Sequence, residues 1–84
     1  MLSIKILGPG CENCQKVYAI ARRAAEGMGL EAEFIKVTDW VEIKKYPILA
    51  TPGLVINEKL VCGGRIPTEA EVTTWLANAE MEAA

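Results

Sequence analysis

Apolar and polar positions alternate between strand-like and helix-like spacing along the chain. The run Leu2-Ser3-Ile4-Lys5-Ile6-Leu7 is apolar and β-branched, with Ser3 and Lys5 as its only polar residues, and predicts a first strand. Gly8-Pro9-Gly10 breaks it as a loop. From Glu12 to Met28 the apolar positions are Cys14, Val17, Ile20, Ala21, Ala24, Ala25 and Met28, which is helical spacing. Gly27 and Gly29 are its expected terminators. Glu33–Val37 reads as a second strand. Thr38 or Asp39 can cap a short helix, with Glu42 as the capping-box partner of Asp39, and Pro47 requires that helix to stop near Tyr46.

The second half of the chain predicts a hairpin and a helix. Gly53-Leu54-Val55-Ile56 and Lys59-Leu60-Val61-Cys62 read as two strands across a tight Asn57-Glu58 turn. Thr68-Glu69-Ala70-Glu71 is a capping box opening a last helix, whose inner face is Val72, Trp75, Leu76 and Ala79. The predicted order is β-α-β-α-β-β-α, an α/β fold. Its first two strands, joined through a helix, should be parallel with a right-handed crossover. The hairpin should complete a mixed four-stranded sheet with helices on both faces. No linker, repeat or low-complexity stretch divides residues 1–84, so one domain is expected.

Composition narrows the function. The chain has 84 residues, 51% of them hydrophobic, and a net charge of −2 from nine basic and eleven acidic side chains. Neither sign clusters, so a nucleic-acid partner is not expected. No apolar run approaches the roughly 20 residues of a membrane span. The start, Met1-Leu2-Ser3-Ile4-Lys5, lacks the basic-then-apolar order of a signal peptide, so a cytoplasmic protein is expected; a monomer is the separate expectation for its assembly. Three cysteines are too few for a secreted disulfide framework. The absence of histidine removes Cys-His hydrolases, His-containing zinc sites and imidazole bases.

The chemistry concentrates in Gly8-Pro9-Gly10-Cys11-Glu12-Asn13-Cys14, where a strand feeds a helix. Residues i and i+3 of a helix have Cα atoms roughly 5 Å apart, and a disulfide accepts about 4.4–6.8 Å. Cys11 and Cys14 can therefore bridge and separate without rebuilding the backbone. A helix N-terminus stabilises a thiolate, so Cys11 would attack and the shielded Cys14 would resolve. A metal clamp and two idle thiols are the alternatives. Thr51-Pro52 precedes a strand; its proline either starts an edge strand in trans or turns the chain sharply in cis. Cys62 ends a strand-like run and reads as a buried structural thiol, with an auxiliary or metal-ligand role as the alternative. Trp75 belongs to the last helix's core face, while Trp40 is a candidate for a substrate rim.

These residues resemble the thioredoxin-fold superfamily, and within it the small glutaredoxin-like redox-active disulfide proteins. Cys11-Glu12-Asn13-Cys14 occupies the active-site position. Thr51-Pro52 is similar to the cis-proline motif facing the active-site disulfide. Leu54–Lys59 resembles the hairpin that follows, and Gly63-Gly64 the glycine pair after the last strand. The resemblance implies a thiol–disulfide oxidoreductase that reduces protein disulfides through Cys11 and Cys14, without a cofactor or metal. Thr51 and Pro52 would contact the substrate, and an upstream disulfide reductase would be a partner. There are departures. Gly10 replaces the aromatic residue that thioredoxins carry before the motif. The first strand has no acid. Arg65-Ile66-Pro67-Thr68 follows the glycine pair where glutaredoxins have an acidic pair. A rival resemblance is to heavy-metal-associated carriers, which also place CxxC between strand and helix. They have methionine where Pro9 stands, and their order is β-α-β-β-α-β.

Glu12 and Lys16 are the expected tuners of the thiol. A carboxylate about 6–8 Å from the Cys11 sulfur repels its thiolate by about 0.5–2.5 kcal/mol at effective dielectrics of roughly 20–80. The helix terminus favours the thiolate by about 0.3–1 kcal/mol, up to ~2 when partly buried, so the two effects largely cancel. Cys11 should titrate at ~7–8 and the couple should be reducing, towards about −270 mV. Glu12→Gln is expected to lower the Cys11 pKa and make the couple more oxidising. Thiolate absorbance against pH measures the first effect; an unmoved or rising midpoint would refute it.

Overall fold

The computed structural model describes residues 2–10 and 12–83. Its elements are β1 (Leu2–Leu7), α1 (Glu12–Gly27), β2 (Ala32–Val37), α2 (Trp40–Ile43), β3 (Gly53–Ile56), β4 (Lys59–Gly63) and α3 (Glu69–Ala83). The β-α-β-α-β-β-α order predicted from the pattern is the order observed. The four strands lie in the order β2-β1-β3-β4. β1 is central: parallel to β2 with Leu2 opposite Ala32 and Leu7 opposite Val37, and antiparallel to β3 with Ile4 opposite Ile56.

Strand alternation divides the core between the two faces of the sheet. Leu2, Ile4 and Ile6 of β1 join Leu54 and Ile56 of β3 on one face, under the buried stripe Cys14, Val17, Ala21, Ala24 and Ala25 of α1 and Val72 and Leu76 of α3. Leu7 and Val55 point the other way and meet Ile43 of α2. The two β4 neighbours Val61 and Cys62 both pack with the larger cluster. A register shift allows this: Leu54 pairs with Cys62 but Val55 pairs with Leu60, so Val61 is the extra residue of a bulge.

Local signals explain the element ends. Past α1, Leu30 N donates to Ala25 O (3.0 Å) and Gly29 N to Glu26 O (3.1 Å), with Gly29 at φ +66°. That is a Schellman motif, so Gly29 closes the helix while Gly27 is its last residue. Asn57 and Glu58 have φ of +50° and +68°, the signs a type I′ hairpin turn needs at both central positions. Asn57 also extends the β1–β3 ladder: its backbone N donates to Ser3 O (2.8 Å) and its Oδ1 accepts from Ser3 N (3.0 Å).

The two predicted capping boxes fare differently. Asp39 caps α2 by accepting from Val41 N at 2.9 Å. Glu42 does not reach back; it accepts from Lys45 Nζ at 3.0 Å, because a single-turn helix ending at Ile43 leaves it beside that lysine. At α3 the box is complete. Glu71 N donates to Thr68 Oγ1 (3.1 Å), and Thr68 N donates to Glu71 Oε1 (3.0 Å). Arg65 adds a two-pronged contact to the same carboxylate at 3.0 and 2.8 Å.

Arg65 first, and the Thr68 amide next, hold the Glu71 carboxyl well below its usual range, at about 2. A carboxyl depressed in the folded state stabilises the fold above its ordinary pKa and loses that contribution as pH falls through the folded value. Urea midpoints of the wild type should therefore decline from about pH 5 towards pH 2. Glu71→Gln should flatten part of that decline and lower the midpoint at neutral pH. Parallel curves for the two proteins would refute this.

Candidate active site

Three segments meet at one end of β1. The first is the Gly8-Pro9-Gly10 loop. Gly8 N donates to Val37 O at 2.9 Å, carrying the parallel pairing one residue past the strand, and Gly10 has φ +89°. The second is the first turn of α1. Cys14 lies there, 5% exposed and part of the core beneath the helix. The third is the segment Ala50-Thr51-Pro52 leading into β3. The Thr51–Pro52 peptide bond is cis and Pro52 is buried. Cys11 lies outside the described residues, so the paired thiols stand on the sequence argument for that member.

Gly8 fixes how closely these segments approach. A Cβ built on it would collide with Cys14 Sγ and would lie 3.7 Å from Thr51 Cβ. The sulfur therefore occupies the space a side chain at position 8 would take. Gly53 serves the next layer in the same way: a Cβ there would collide with Ile48 Cδ1 and lie 3.4 Å from Leu7 Cβ. The loop before β3 is held from behind, where Gly64 N, at φ +77°, donates to Pro52 O at 2.9 Å. The glycine after β4 thus has a defined task at the proline.

Beside Cys14 lies a cavity of about 70 Å³ walled by Ile6, Gly8, Gly10, Gln15, Lys36 and Thr38. Sequence reasoning missed Gly8, Gln15, Lys36 and Thr38 as site residues. The loop glycine was a signal for Gly8. Lys36 carried none, because its place depends on β2 pairing with β1.

Electrostatics near the site come from exposed groups. Glu12 and Lys16 face one another across one helical turn, with Lys16 Nζ 3.6 Å from Glu12 Oε1. None of the described polar or charged residues is buried. The β1 lysine points to the α2 face instead: Lys5 Nζ lies 2.6 Å from Glu58 Oε1 and donates to Tyr46 Oη at 3.0 Å, while Tyr46 Oη donates to Glu58 Oε2 at 2.9 Å. Glu58 and then Tyr46 raise the Lys5 pKa, and Lys5 and then Tyr46 lower that of Glu58.

Cys62 is free and buried, with its Sγ donating to Arg65 O at 3.7 Å. Burial pushes this thiol up, against a smaller pull from Arg65. Trp40 is half exposed and shares a groove with Leu49, Ala50 and Thr51, which puts it on the same rim as the proline loop. Trp75 is partly buried against the main core. Among the described residues no group of three or more His, Cys, Asp or Glu side chains could hold a metal.

The sequence profile of the thioredoxin domain matches residues 2–77. The chain belongs to the thioredoxin family. A thioredoxin of Methanocaldococcus jannaschii is 38% identical over 72 residues, covering 86% of this chain and 83% of that protein. A thioredoxin of Methanothermobacter thermautotrophicus is 36% identical over 77 residues, covering 92% of this chain and all of that protein. Membership carries a thioredoxin-like redox function in general terms. The thioredoxin order, with α2 between β2 and β3 and with α3 after β4, differs from the β-α-β-β-α-β order of the rival metal-carrier fold.

Gly8→Ala is the sharpest test of this thioredoxin site. The added methyl must displace the Cys14 sulfur, and overpacking of this kind costs about 1–3 kcal/mol. A lowered urea midpoint and slowed bridging of Cys14 are expected. A variant with wild-type stability and wild-type thiol kinetics would show that the contact does not constrain Cys14.

Proposed function

We propose that this chain is a thiol–disulfide oxidoreductase that reduces protein disulfides through Cys11 and Cys14, acting as a cytoplasmic monomer. The observation that carries the reading is the placement of Cys14. It is sealed under the first turn of α1, against Gly8 and beside Thr51. A thiol so shielded suits the second step of disulfide exchange rather than the first. By the sequence reading Cys11, immediately before Glu12, stands where the macrodipole of α1 favours a thiolate.

In this reading the Cys11 thiolate attacks a substrate disulfide, forming a mixed disulfide and expelling one substrate thiolate. Cys14 then attacks the Cys11 sulfur. The Cys11–Cys14 bond forms, the bond to substrate breaks, and the second substrate thiolate leaves with the electron pair. The substrate has gained two electrons and the dithiol has lost two. An upstream disulfide reductase returns them. Thr51 and Pro52, on the side of Gly8 where Cys14 lies, receive the substrate backbone. Glu12, offset by Lys16, biases the couple towards reduction.

The roles separate under substitution. Cys14→Ser should accumulate a long-lived mixed disulfide with a protein substrate such as insulin, because attack survives and resolution is lost. Cys11→Ser should accumulate none. Non-reducing electrophoresis with mass mapping reads both. Equal trapping by the two variants would overturn the assignment of attacker and resolver.

A further inference from the structure

Three polar side chains form a closed triangle on the α2 face of the sheet. Lys5 Nζ lies 2.6 Å from Glu58 Oε1 and donates to Tyr46 Oη at 3.0 Å, and Tyr46 Oη donates to Glu58 Oε2 at 2.9 Å. The tyrosine hydroxyl accepts one bond and donates another, so it is fixed from both sides. Two members stand where their residue types are costly. Lys5 lies within a central strand, opposite Ile35 and Val55, with its side chain only 23% exposed. Glu58 holds the second central position of the type I′ turn at φ +68°, where glycine is favoured and an L side chain is strained. Glycine would serve the turn better, so what a glutamate contributes there is its carboxylate.

The triangle fastens a particular piece of chain. Tyr46 stands between α2 and the irregular segment 47–52, which ends at Thr51 and Pro52. Its carbonyl accepts from Ile48 N at 2.8 Å. The Ile48 side chain then fills the room that a Cβ on Gly53 would take, and its Cγ1 would lie 3.2 Å from a Cβ on Gly63. At the far end Gly64 N donates to Pro52 O at 2.9 Å. The segment is thus held by β4 where it ends and by Tyr46 where it begins.

We propose that Lys5, Tyr46 and Glu58 are positioning residues for substrate binding: the triangle ties the start of segment 47–52 to the β3–β4 turn and so sets the backbone of Thr51 and Pro52 for an incoming protein disulfide. The inference rests on the oxidoreductase reading and on the role given there to Thr51 and Pro52. An isolated surface ion pair contributes little, but a closed network on a largely buried lysine holds its members in one geometry. Once Tyr46 is loosened, the segment samples other conformations, and the substrate must order it on binding. The effect therefore falls on affinity. The chemical steps run through the thiols, and Cys14 packs on the opposite face of the sheet from Tyr46.

Steady-state reduction of insulin, with dithiothreitol returning the electrons, separates affinity from turnover. Tyr46→Phe keeps the aromatic packing and removes the hydroxyl. It should raise KM for insulin roughly three- to tenfold and leave kcat within about twofold. The first thionitrobenzoate released from the small disulfide dithiobis(nitrobenzoate) should appear at the wild-type rate, since that reagent presents no peptide backbone. Glu58→Gln, which keeps an acceptor for the hydroxyl, should shift KM by less. Glu58→Gly separates function from stability: it relieves the turn, so its urea midpoint should hold or rise, yet its KM should rise as in Tyr46→Phe. A KM unmoved in Tyr46→Phe and Glu58→Gly, or one that only follows the urea midpoint across the variants, would overturn the inference and leave the oxidoreductase reading intact. Failure of the wild type to reduce insulin would instead overturn that reading.

Discussion

The structure hangs on β1. Like β3 it is paired along both edges and packed on both faces, and it alone runs directly into the site loop. Its even-numbered residues anchor α1 and α3 and Leu7 anchors α2. Its last carbonyl gives way to Gly8, where the absence of a side chain lets Cys14 sit against the backbone. A central strand buried on both faces cannot shift register without moving its apolar set to the wrong side. The position of the sulfur relative to the proline loop is therefore inherited from strand pairing. The loop itself does not need to be stiff.

Much of this was legible from local chemistry. The Thr68–Glu71 capping box, the Asn57-Glu58 turn and the apolar stripe of α1 are decided by residues within a few positions of each other, and all three are present as read. The start of the site was legible for the same reason, because Gly8 to Cys14 are contiguous. Terminators were harder. Gly27 and Gly29 looked equivalent, and only the pair of hydrogen bonds to Glu26 and Ala25 shows that Gly29 carries the turn. Glu42 failed as a capping partner because α2 is too short to bring the reciprocal bond into place.

Other features depend on contacts between distant segments, which periodicity does not encode. The bulge at Val61 is invisible in a run that reads as a plain strand, yet it turns two adjacent residues towards one core. Lys5 and Lys36 look alike as strand lysines. One is committed to Glu58 and Tyr46, and the other stands over Tyr18 near the thiol. Their difference arises from which face of the sheet each occupies. The missing first-strand acid was read correctly from sequence. What stands near the thiol in its place required the neighbouring strand.

The division of the core into two unequal clusters has a consequence for motion. The larger cluster is bound by two helices of 16 and 15 residues, while the smaller has only Leu7, Ile43 and Val55 fully buried beneath a four-residue helix. Cooperative opening costs least where little apolar surface is buried. The α2 layer is thus the part of the molecule that opens first, and it carries Trp40 and adjoins Leu49 and Thr51. One wall of the thiol site, α1, belongs to the rigid body of the protein. The opposite wall belongs to a layer that breathes, so the rim can yield to substrates of different shape while the sulfur stays in register.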